Sequence, residues 1–73
     1  MLVPSYKPLE ITLIKREKNK MNLRNELKLA PSTIAKISKN EYLHLRVLAQ
    51  ICDYLECPIE EVVELVPLKD HQS

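Results

Sequence analysis

Ser32, Thr33 and Lys36 place two hydroxyls and one ammonium group within a five-residue window. A hydroxyl donates and accepts, and an ammonium donates three ways, so this set is suited to hydrogen bonding with a partner. Bond-breaking chemistry has no comparable support. No Ser/His/Asp, Cys/His or paired-carboxylate arrangement has a supporting sequence context, so no enzyme and no cofactor are expected. Cys52 and Cys57 lie five apart inside an aliphatic pattern, which reads as two buried thiols in a reducing cytosol. Zinc needs about four ligands, and only His44 and His71 could join the thiols, at unsuitable spacing. Glycine is absent, which removes the P-loop and dinucleotide fingerprints. Any left-handed turn must then fall on another residue, with Asn40 the first candidate.

The elements that would position these groups follow from apolar spacing. Residues 1–6 read as an extended arm interrupted by Pro4. A first helix begins near Pro8 with Leu9, Leu13 and Ile14 inward. Asn19 is an N-cap for a second helix over Lys20 to Leu27, with Leu23 and Leu27 inward. Pro31 disfavours helical backbone at Ala30 but suits a new first turn, so a third helix runs from Pro31 to Lys39. It buries Ile34 and Ile37 and leaves Ser32, Thr33 and Lys36 outward. A fourth helix covers Leu45 to Leu55 with Leu48, Ile51, Cys52 and Leu55 inward. A fifth starts at Pro58, with Ile59, Val62, Val63 and Val66 inward, and stops at Pro67. Residues 69–73 read as a frayed tail. The expectation is an all-α, compact five-helix domain occupying all of residues 1–73. Its apolar ends, Leu2-Val3 and Leu65 to Leu68, are the candidates for a dimer contact and could also pair as a short two-stranded β ribbon.

Length and charge bound the rest. Seventy-three residues make one domain with a small core, and with only three tyrosines as aromatics that core must be aliphatic. The net charge of +1 conceals a division. Residues 1–40 carry nine basic residues against three acids, whereas residues 41–73 carry two against seven. Such a chain either presents a cationic face to a polyanion or merely solvates its helices. No signal peptide or membrane span is read, so a cytoplasmic location is expected.

Residues 19–39 form the informative unit. Two short helices joined by a tight turn, the second polar outward, make a helix-turn-helix pattern. Leu23, Leu27, Leu29, Ile34 and Ile37 would tie the pair at a steep angle and let the second helix enter a major groove. The segment Leu23-Arg24-Asn25-Glu26-Leu27-Lys28-Leu29-Ala30-Pro31-Ser32-Thr33-Ile34-Ala35-Lys36-Ile37 resembles that of phage-repressor-like Cro/CI-type regulators. Leu48, Ile51-Cys52, Leu55, Cys57-Pro58-Ile59 and Val62-Val63-Glu64 are similar to that family's fourth and fifth helices.

The resemblance implies a lambda-repressor-like fold that binds double-stranded DNA as a small transcriptional regulator. It implies base contacts from Ser32 and Lys36, with Thr33 beside them. It implies phosphate contacts from Lys20, Lys39, Asn40 and Tyr42, and more weakly Arg24. The sequence also departs from the family pattern. Lys28 stands where glycine is common in the turn, and Ala30 where a Ser or Thr cap is usual. Pro31 replaces a position that is often polar and base-facing. His44 falls where a cap for the fourth helix is expected, and Lys18 replaces an apolar residue whose space Met21 would fill.

A sequence-specific regulator acting as a homodimer is therefore expected, with no small-molecule ligand. The alternative is a protein-interaction module, antitoxin-like or phage-regulatory, working through the acidic half. Duller roles stay open for individual residues: solubilising for Lys36, Lys20 and Lys39, capping for Ser32 and Thr33, covering the core edge for Tyr42, starting a helix for His44.

Overall fold

A computed structural model describes residues 1–68; the frayed tail expected at 69–73, with His71, lies outside them. The chain begins as a strand, β1 (Leu2–Ser5), and continues through α1 (Lys7–Lys15), α2 (Lys20–Glu26), α3 (Pro31–Ser38) and α4 (Leu45–Leu55). A single 3-10 turn, Ile59–Glu61, leads into β2 (Glu64–Pro67). Four α-helices are thus present among the described residues, and two of the expected elements change type.

The expected fifth helix is the main correction. Its first residues make the 3-10 turn, with Pro58 extended before it. Its last four residues, Glu64–Pro67, pair antiparallel with β1, Val66 opposite Val3 and Leu65 opposite Pro4. Val66 follows Val62 and Val63 by four and three residues, which mimics a helical stripe, but a β-branched side chain such as that of Val66 favours extended backbone when a partner strand is available. The amino-terminal arm supplies that partner, realising the ribbon as an intrachain pairing. Proline is tolerated on both strands because a two-stranded ribbon has only edges. Beyond the strands, the Leu68 N–H donates to the Met1 carbonyl at 2.8 Å.

A ribbon of this size is marginal by itself, and side chains anchor it. Tyr6 is buried, and its hydroxyl donates to the Glu41 carbonyl at 2.7 Å. Its backbone N–H donates to Asn40 Oδ1 at 3.1 Å. Tyr42 donates its hydroxyl to the Leu2 carbonyl at 2.8 Å. The loop after α3 is therefore fastened to the strand that precedes α1.

The core gathers Tyr6, Leu9, Leu13, Leu23, Leu29, Ile37, Leu48, Ile51, Leu55 and Val62. Leu27, Ile34, Cys52 and Val63 pack partly buried against it. Ile14 and Ile59, expected inward, are exposed. Thr12 occupies the inward position on α1 instead, where its hydroxyl donates to the Glu61 carbonyl at 2.6 Å. That bond satisfies a buried hydroxyl and one carbonyl of the 3-10 turn together.

Without glycine, the helix ends use ordinary residues in the left-handed region. Glu17, Lys28, Asn40 and Glu56 have φ of 58°, 57°, 57° and 54°. Three of these close the same motif: Lys18 N–H bonds to Leu13 O, Glu41 N–H to Lys36 O, and Cys57 N–H to Cys52 O. Each bond spans a left-handed residue and satisfies a carbonyl that the helix leaves open.

Candidate nucleic-acid interface

The site is built from α2 upward. Asn19 starts α2 as expected: its side chain accepts from the Asn22 N–H at 3.2 Å, while Asn22 Oδ1 accepts from the Asn19 N–H at 2.8 Å. Asparagine at the third helical position thus performs the reciprocal half of a capping box. α2 stops at Glu26, and Lys28 turns the chain through its left-handed backbone in the place where glycine is usual in the family pattern. Ala30 is extended at the head of α3 with no side-chain cap, and Pro31 supplies a fixed φ in the first turn.

Leu29 and Ile37 are buried, so the inner side of the α2–α3 unit is held in the core. Ser32 and Lys36 are exposed on α3, and Thr33 is half-buried. No hydrogen bond or ion pair among the described residues engages these three side chains. Thr33 and Lys36 share a shallow cleft with Tyr42, Leu43, His44 and Val47. His44, read from sequence only as a helix-start residue, is at the head of α4 with no side-chain capping bond. Its place in the same cleft as Lys36 was hidden in the sequence because a loop separates the two, with no local spacing to mark it.

The expected phosphate contacts separate into two groups. Arg24 and Lys39 are exposed. Lys20, Asn40 and Tyr42 carry internal bonds. Lys20 Nζ lies 3.4 Å from Glu10 Oε2 and 3.4 Å from Ser38 Oγ, so it braces α1, α2 and the end of α3. Asn40 and Tyr42 hold β1 through the bonds described above. Lys18 corrects another expectation. Its ammonium lies 5.2 Å from the centre of the Tyr54 ring, a cation–π approach, while Met21 stays exposed rather than filling a core space. Tyr54 in turn donates its hydroxyl to Glu26 Oε1. That carboxylate, more than burial, pushes the phenol up, against the opposing influence of Lys18.

Away from this face, Cys52 and Cys57 are half-buried rather than fully enclosed. Burial pushes both thiols up; each also feels its neighbour and a carboxylate, Glu60 for Cys52 and Glu61 for Cys57. Arg16 acts in the other direction on Cys57.

A short α3 set out by a tight turn from α2, with its inner side in the core and its outer hydroxyl and lysine uncommitted, defines a helix-turn-helix domain. The chain belongs to the Cro/C1-type HTH DNA-binding domain family, which it matches over residues 9–67. It is also similar to the solved structure titled "Crystal structure of transcriptional regulator VanUg, Form II", at 39% identity and a TM-score of 0.88. That similarity covers 92% of this chain and 89% of the other. A comparison with curated proteins finds no match.

Proposed function

We propose that the chain is a sequence-specific double-stranded DNA-binding regulator of transcription that acts as a homodimer. The observation that supports this most is the unengaged outer face of α3, with Ser32, Thr33 and Lys36 beside the turn that holds the helix out. The major groove displays a donor–acceptor code, and two hydroxyls and one ammonium are groups that read such a code. Lys36 suits guanine acceptors, whereas Ser32 and Thr33 can address either kind of edge. Arg24 and Lys39 would hold flanking phosphates and supply salt-dependent affinity. Lys20 would add to them by sharing its ammonium between Glu10 and a phosphate, and Asn40 and Tyr42 would shape the loop that follows the backbone.

Pairing follows from the small number of base contacts. A single α3 offers three side chains, and a two-fold assembly doubles them on a site with matching half-sites. Leu2, Leu65 and Leu68 on the ribbon are exposed and apolar, which favours this region as the dimer contact. Selection from a random duplex pool, combined with the mass of the selected complex, tests the reading. A two-fold site occupied by two chains is expected. Recovery of no preferred sequence, together with elution from heparin at very low salt, would favour a protein-interaction module instead.

A further inference from the structure

The two cysteines are brought together by the way α4 ends. Glu56 turns left-handed, and the Cys57 N–H reaches back 3.1 Å to the Cys52 carbonyl. In this motif the residue after the left-handed one lies over the residue five before it, and the two side chains commonly pack together. Those two positions here are both cysteine. Both side chains also pack partly buried against the same core, and each thiol bears on the ionisation of the other. Both are half-buried, so a small ion can reach them. The same cap carries a cation: Arg16 Nη2 donates to the Glu56 carbonyl at 3.3 Å.

We propose that Cys52 and Cys57 form a two-thiolate site for a single monovalent soft cation of the Cu(I) class. Zinc was set aside for want of four ligands, and no third metal-ligating side chain joins the pair among the described residues. Thiolates select soft ions such as Cu(I) over hard ones. Two sulfurs suffice for a monovalent d10 ion, which accepts linear coordination. Binding exchanges two S–H bonds for two Cu–S bonds and releases both protons to solvent. The bound unit carries one net negative charge, which the Arg16 guanidinium at the cap opposes while Glu60 and Glu61 add to it, so binding is favoured by the Cu–S bonds and not by the local field. Because burial holds the thiols protonated, uptake strengthens as pH rises toward their ionisation. The site uses no residue of the α3 face and does not depend on the DNA-binding reading.

The test uses the full reduced chain without oxygen, with Cu(I) supplied from a coloured chelator that competes for it. One ion per chain is expected, and one equivalent should withdraw both thiols from a disulfide thiol reagent. Cys52→Ala and Cys57→Ala should each weaken uptake roughly 100-fold or more, since each removes one arm of a chelate. Single variants that bind as tightly as the native chain would overturn the proposal. So would copper bridging two chains, or protection of only one thiol per ion; these readouts need only the native chain.

Discussion

Glu56 shows how a single residue can both strain the backbone and organise its neighbours. Its left-handed conformation costs a residue with a Cβ roughly 1–2 kcal/mol, yet it permits the bond from Cys57 to Cys52 that closes α4. The Arg16 contact at this cap goes to the Glu56 backbone carbonyl, not to its side chain. Glu56→Gly should therefore keep the cap, relieve the strain and stabilise the fold by about 1 kcal/mol. Thermal melting would show this as a rise of roughly 4–8 °C for a domain of this size. An unchanged or lower midpoint would mean that the left-handed backbone is not the cost assigned to it. The same reasoning covers Lys28, but a substitution there would also alter charge beside α3.

Among the elements, those legible in the sequence were set by strong local signals. Asn19 capped α2, Pro31 opened α3, and the Leu48, Ile51, Leu55 stripe marked α4 with its observed bounds. Asn40 was legible as a left-handed position, and Lys28 as a residue standing where glycine is common in the turn. The carboxy-terminal segment was misread because Ile59, Val62, Val63 and Val66 fit the helical period, although only Val66 of these lies in the strand. Its choice of strand rests on Leu2 and Val3, more than sixty residues earlier in the chain. Tyr6 and Thr12 were missed for the same reason, since their burial depends on carbonyls of Glu41 and Glu61. At the candidate interface, the exposure of Ser32 and Lys36 on α3 was legible from helical spacing, whereas Thr33, read as outward, is half-buried. The internal commitments of Lys20, Asn40 and Tyr42 were not, because each partner lies on a distant element.

At the scale of the whole molecule, the ionisable groups that depart from their ordinary values among the described residues all shift upward. Burial pushes up Tyr6, Cys52 and Cys57, and the Glu26 acceptor pushes up Tyr54. Each folded group holds its proton to higher pH than the unfolded one, so the unfolded chain loses protons first. The stability these groups contribute is fully present below the ordinary thiol value of 9.0 and is lost as pH rises through the folded values. Urea midpoints measured from about pH 7 to about pH 11 should fall at the alkaline end. Replacing both cysteines by alanine should remove the earlier part of that fall and leave the tyrosine part. A flat alkaline limb in the native chain would contradict the assignment.

The functional account rests on α3 reading base edges while other cations only hold the duplex. Its most direct measurement compares native chain, Lys36→Ala and Lys39→Ala on a selected duplex and on a random one, at fixed salt. Lys36→Ala should lose about 1–3 kcal/mol on the selected duplex and much less on the random one, whereas Lys39→Ala should weaken both alike. Equal losses for Lys36→Ala on the two duplexes, or no loss on either, would contradict a base-reading role for α3.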